Sequence, residues 1–190
     1  LILNISIYYF RGNIYGKRKM EHETRQLIRS SSRAYLATEL SKANRKKMIS
    51  DNKIYVPYVT FVMVGFDYDC SPLLLLSDLS EHTKNLKNNN TVSLLFCEEQ
   101  RNEEDFPKFN TTDRLDNENY EDPMSRPRVT VVGEIEKVNS THQKKRFISR
   151  HPASKLYANF KDMRIYKVNF SGGHITGGFA KVKWFKKSEL

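Results

Sequence analysis

Ile54-Tyr55-Val56-Pro57-Tyr58-Val59-Thr60-Phe61-Val62-Met63-Val64-Gly65-Phe66 is β-branched or aromatic at almost every position. Such side chains suit a pleated, half-buried surface, so this stretch reads as a long strand. Pro57 has no N–H to give to a ladder, which places it at the strand start or on an edge. Asp67-Tyr68-Asp69-Cys70-Ser71-Pro72 reads as a turn, and Leu73 to Leu76 begins a partner strand, making a hairpin.

Upstream of this hairpin, residues 21 to 33 read as a short helix with Leu27 and Ile28 on its apolar stripe. Ala34 to Thr38 is strand-like, and residues 41 to 53, rich in Lys, Asn and Ser, read as a solvated loop. Downstream, Ser77 to Glu81 opens a helix, with Asp78 as N-cap and Glu81 completing a capping box. Leu79 and Leu86 are expected to face inward, and Asn88 to Asn90 ends the helix.

Thr91 to Cys97 and Pro127 to Val138 are further strands, joined by a polar, acid-rich loop over residues 99 to 126. Ser140, with Gln143 three residues on, caps a helix that runs to about Arg150. Pro152 starts a second, short helix. Met163 to Phe170 and His174 to Val182 are the closing strands around a Gly172-Gly173 turn. About six strands with Gly and Pro turns favour a barrel or a sandwich, and the helices between them make the class α+β.

The 190 residues suit one domain with a sizeable core, assigned to residues 21–190, and 38% of them are hydrophobic. Residues 1–20 are expected to form an arm, disordered or foreign to the native chain, because Met20 is the first methionine and an apolar segment precedes a basic one. The formal net charge of +10 favours anionic partners. Its lysines and arginines cluster at Arg11 to Lys19, at Lys181 to Lys187, and at Lys144, Lys145, Arg146 and Arg150 on a predicted helix. No basic stripe interleaved with aromatics accompanies them, so a solvated basic surface is expected and a nucleic-acid partner is not. Cys70 and Cys97 stand alone, which suits the reducing cytoplasm and argues against a structural zinc site. No apolar run reaches the roughly 20 residues a bilayer-crossing helix needs.

Three places carry candidate chemistry. The helix opening over residues 77 to 84 offers Ser77, Ser80 and Thr83 as hydroxyl donors, and His82 and Lys84 for charge-assisted bonds to a phosphate. Arg128 stands at a strand start beside the long loop. Of the five histidines, His22, His142 and His151 fall on polar helical faces, while His174 follows two glycines and is a candidate haem or metal ligand. No nucleophile, P-loop or dinucleotide motif occurs, and the catalytic residues are left unassigned.

The order of these segments resembles the pyridoxamine 5′-phosphate oxidase-like FMN-binding split barrels. Arg25 to Arg29, Ala34 to Thr38 and Pro57 to Val62 resemble the opening of that family. Leu74 to Leu86, Val92 to Phe96, Asp122-Pro123-Met124, Pro127 to Gly133, His151-Pro152-Ala153 and His174 to Ala180 resemble its haem-utilisation (HugZ-like) subgroup. The resemblance implies a six-stranded antiparallel split β-barrel, a homodimer with FMN sites at the interface, and a flavin-dependent oxidoreductase acting on an unidentified small molecule. It places Thr60, Val62 and Met63 along the flavin ring and Leu76 and Ser77 near the phosphate end. It puts His82 and Thr83 on the phosphate, with Lys84 in support, and Arg128 at the flavin. The oxidase carries Arg and Lys where this chain has His82 and Thr83. Its Arg-Leu-His-type substrate motif has no counterpart in Lys183-Trp184-Phe185-Lys186-Lys187, so pyridoxamine phosphate oxidation is not expected. The subgroup implies haem binding or degradation as the alternative, although no histidine follows His174.

Overall fold

A computed structural model describes residues 19–48, 55–97, 124, 126–177 and 181–190. The expected arm up to residue 18 and the loop segment from 98 to 123 lie outside these residues.

Helix α1 covers residues 19–30 and buries Leu27 and Ile28, the stripe expected of it. Strand β1 (Arg33–Glu39) follows, then helix α2 (Lys42–Met48), β2 (Pro57–Met63), β3 (Gly65–Phe66), β4 (Pro72–Ser77), helix α3 (Glu81–Leu86) and β5 (Thr91–Cys97). Next come β6 (Arg128–Val138), helix α4 (Thr141–Arg150), a 3-10 turn (Pro152–Leu156), β7 (Met163–Thr176) and β8 (Val182–Lys186).

All pairings are antiparallel, in the order β2-β1-β5-β6-β7-β4-β3, with β8 added on β7. β2 and β3 stand at opposite ends of that order yet are joined through Val64, so the sheet curls into a half-barrel whose ends are linked by the chain and, among the described residues, by no ladder. The long strand read from residues 54 to 66 is therefore two strands, and where six were expected the described residues form eight. At the break Val64 leaves the ladder: its N–H donates to Ser32 O (2.9 Å) and its carbonyl lies 2.9 Å from His151 Nε2. His151, expected on a wet face, is buried for this reason.

The barrel interior holds Leu36, Val64, Leu74, Leu94, Phe96 and Val131 among its fully enclosed side chains. A second cluster, Leu73, Phe147 and Ile165, lies where α4 covers β4. α4 is capped as expected, with Gln143 N donating to Ser140 Oγ (3.3 Å).

Three further expectations are corrected. Gly172 and Gly173 lie inside β7, paired with Lys186 and Phe185 of β8, and no turn forms there. A Cβ on Gly173 would collide with the carbonyl oxygen of Thr130, and one on Gly172 with that of Phe185. The glycines permit close strand approach, and the chain reverses after Thr176, where Gly177 N donates to Lys181 O (2.7 Å). The supposed loop at 41 to 53 contains α2. Leu79, expected inside, is 74% exposed, because α3 begins only at Glu81, with Ser80 as N-cap.

Candidate functional site

β4 ends at Ser77, and the turn after it is fastened to the start of β7. Asp78 N donates to Asp162 O (2.8 Å), the Ser77 hydroxyl donates to the Asp162 carboxylate, and Leu79 N donates to Ser77 Oγ (3.1 Å). Asp78 pairs with Arg164 at 3.1 Å and does not cap the helix. α3 has only six residues and its N-cap makes no side-chain bond. The helix field is therefore short, and any ligand chemistry at this corner falls to its side chains.

What fixes α3 is Asn85, fully buried on its inner face. Asn85 Oδ1 accepts from Ser41 N (2.9 Å), and Nδ2 donates to Thr38 Oγ1 (3.0 Å). Thr38 in turn donates to Tyr58 O (3.3 Å). A helix tied to β1 and β2 in this way brings His82 onto Thr60, with Nδ1 and Oγ1 3.1 Å apart.

Two polar atoms of this corner, His82 Nε2 and Thr83 Oγ1, are buried and lack a hydrogen-bond partner among the described residues. Thr83 is only 2% exposed. A buried hydroxyl without a partner costs about 1–3 kcal/mol. Native chains rarely leave such a group without a reason, and a ligand is one. Burial pushes the His82 imidazole below the ordinary histidine value, and Glu81 only partly opposes this. Where the Thr60 hydroxyl donates to Nδ1, the neutral His82 ring carries its proton on Nε2, and Nε2 and Thr83 Oγ1, on consecutive residues, are then both donors. This pair fits a phosphate group.

The remaining sequence-derived candidates divide between two faces of the sheet. Val62 and Leu76 are packed in the core beside Thr60 and Ser77. Lys84 turns away, pairs with Glu81 at 3.6 Å and lines the cleft between α2 and α3. Met63 and Arg128 lie on the outer face of the sheet, set by strand alternation. Arg128 Nη1 donates to Met124 O (3.1 Å) and Arg126 O (3.4 Å). It neighbours Cys97 across the ladder, whose thiol burial pushes up despite that cation.

His174 lies in the same outer layer. The register places Phe61, Tyr35, Leu95, Thr130, His174 and Trp184 in one row across six strands. The rings of Tyr35 and Phe61 meet edge-on at 6.0 Å, and those of His174 and Trp184 lie 4.7 Å apart. Phe61 is 52% and Trp184 74% exposed, so the row is an open apolar band. Sequence reasoning missed Asn85, Thr38 and Asp162, whose partners are 47 and 85 residues away in the chain and leave no local signal. No cluster of metal-ligating side chains occurs among the described residues, and no helix among them is long and apolar enough to cross a membrane.

A curled antiparallel sheet whose end strands β2 and β3 are linked through Val64, with few short helices, is the architecture of the pyridoxamine 5′-phosphate oxidase-like split barrels. Within that class the family described as CREG, beta-barrel matches residues 17–189, and the chain belongs to it. No curated protein matches the chain. Among solved structures it is similar to a heme binding protein from Mycobacterium smegmatis, with a TM-score of 0.67 at 19% identity over 89% of this chain and 58% of that one. It is similar to Campylobacter jejuni ChuZ, with a TM-score of 0.63 at 15% identity over 90% of this chain and 61% of that one. A Clostridium acetobutylicum protein related to general stress protein 26, of the pyridoxinephosphate oxidase family, aligns with a TM-score of 0.57 at 16% identity, over 90% of this chain and 97% of that one. The chain thus spans about three-fifths of the Mycobacterium and Campylobacter proteins.

Proposed function

We propose that the protein binds FMN and acts as a flavin-dependent oxidoreductase on a small-molecule substrate. The observation that carries this reading is the orphaned pair, His82 Nε2 and Thr83 Oγ1, beside Thr60. His82 and Thr83 hold the phosphate as donors, and Thr60 orients His82 through its ring nitrogen. Ser77 and Leu76 shape the approach, with Ser77 committed to Asp162. When bound, the flavin supplies hydride or single-electron chemistry. The chain's own part is to bind, to orient and to exclude water.

The working form in this reading is a homodimer. The apolar row on the outer face gives a second copy an extended surface to cover, and Met63 and Arg128 stand on that face. Free Cys70 and Cys97 accord with a cytoplasmic setting. Phe61→Glu is expected to give a monomer in sedimentation velocity where the parent chain gives a dimer; a parent that is monomeric removes the dimer.

A haem reading is the alternative. It is favoured by His174 beside Trp184 on the open face, and by the haem-binding fold neighbour. FMN and riboflavin, titrated by quenching of flavin fluorescence, separate the phosphate contribution from that of the ring. FMN should bind about 100-fold more tightly than riboflavin, the value of one or two charge-assisted bonds. The doubly changed His82→Ala, Thr83→Val chain should lose most of that difference. Equal affinities for the two flavins in the parent chain would remove the phosphate assignment.

A further inference from the structure

The basic group noted on α4 has a structural counterpart that the cofactor site does not use. Arg146 and Arg150, one turn apart on α4, converge with Arg29 of α1 on a cavity of about 360 Å³, walled also by Phe66 and Ser149. Each guanidinium is held by neutral acceptors. Arg150 Nη2 donates to the carbonyls of Arg29 (3.2 Å), Ser30 (2.6 Å) and Ser31 (3.2 Å) at the end of α1. Arg146 Nε donates to Phe66 O (3.0 Å), and its Cζ lies over the Tyr68 ring, 3.9 Å from the centroid; that ring stacks on His142. Arg29 Nη1 donates to Cys70 Sγ (3.4 Å).

Carboxylates are close in sequence but employed elsewhere. Asp67 and Asp69, in the turn beside Phe66, bind Lys167 at 3.0 and 3.3 Å, and Asp69 binds Lys187 at 3.0 Å. Gln143 adds a bond to Asp67 (2.7 Å). Among the described residues no acid pairs with Arg29, Arg146 or Arg150. Three arginines that no described acid pairs with thus line one small space, two of them held by backbone carbonyls. Each has five N–H donors, and the bonds above use few of them.

We propose that this cavity binds a small phosphorylated molecule through Arg29, Arg146 and Arg150. A planar guanidinium matches phosphate oxygens two at a time, and a phosphoryl dianion balances more of the excess charge than a carboxylate does. Because the arginines are already held, little side-chain freedom is lost on binding. The volume is that of a small-molecule pocket. No residue is shared with the His82 corner, so the two sites stand or fall separately.

The test is a titration of inorganic phosphate into the full chain carrying His82→Ala and Thr83→Val, which silences the first site. Saturable binding is expected by calorimetry. Arg29→Gln and Arg146→Gln should each weaken it about tenfold or more, the effect of losing one charged donor pair. Arg29→Gln, at an exposed residue whose guanidinium bonds Cys70 and, among the described residues, no other side chain, should keep the parent's unfolding temperature and so serves if Arg146→Gln does not fold. Lys144→Gln with Lys145→Gln removes two charges from the same helix and should leave affinity unchanged. Equal weakening by the lysine pair, or no saturable binding, would overturn the proposal in favour of diffuse charge. Arginine-dependent capture on phosphatidic acid vesicles without binding of free phosphate would equally overturn it, by moving the site to a lipid surface.

Discussion

Thr83→Val is the sharpest perturbation of the flavin account, because it should move stability and affinity in opposite directions. Valine keeps the shape of threonine and replaces the hydroxyl by a methyl group. In the ligand-free protein that hydroxyl is buried, with the residue 2% exposed, and has no partner. Its removal should relieve roughly 1 kcal/mol of the penalty for an unsatisfied polar group. Helix propensity is nearly unchanged between the two residues. For a chain of this size 1 kcal/mol corresponds to an unfolding midpoint about 2–4 °C higher. FMN affinity should fall about 10-fold to 100-fold, since a hydrogen bond to a charged group contributes about 1.5–3 kcal/mol. Differential scanning calorimetry of the apo protein and a flavin quenching titration give the two numbers. A Thr83→Val chain that melts lower than the parent and binds FMN equally well would refute the reasoning, because the hydroxyl would then have a structural partner and no ligand.

Other consequences concern the supports of this corner and the barrel. Burial holds the His82 value below about 6.5, so the ligand-free imidazole should titrate below that pH by NMR and move upward when a phosphate ligand binds. The sign follows for stability: the neutral ring is fully accommodated above the unfolded value, and the contribution is lost as pH falls through the folded one. A His82 resonance that ignores the ligand would contradict contact with the phosphate. Asn85→Ala should cost about 1–3 kcal/mol in urea unfolding, because Ser41 N and Thr38 Oγ1 lose a buried partner, and should loosen FMN binding as well. Gly173→Ala should destabilise by about 1–3 kcal/mol or more through the clash with Thr130 O, whereas a turn glycine would tolerate alanine unless its φ were positive.

Local pattern made much of this legible. The β-branched run from Pro57 to Met63, the strand Arg128–Val138 and the Ser140 cap all form where alternation and capping chemistry place them. What local pattern does not carry is long-range pairing. The break at Val64 depends on His151, 87 residues away, and the straight passage of β7 through Gly172-Gly173 depends on β8. A pair of glycines reads as a turn unless the strand that will crowd it is known. The same holds at the site. The resemblance and the polar run from Ser77 to Lys84 single out His82 and Thr83 as candidates, but neither carries the short α3, the exposed Leu79 or the Asn85 tether. Charge and position alone say little about the partners of Lys84 and Arg128, which are Glu81 for the one and the Met124 and Arg126 carbonyls for the other.

The most direct test of the flavin assignment is the absorption spectrum of the purified chain during parallel additions of FMN and haemin. A flavin-binding chain should give a shifted, stoichiometric flavin spectrum that weakens with His82→Ala and Thr83→Val together. A haem Soret band lost on His174→Ala, with no uptake of flavin, would contradict it.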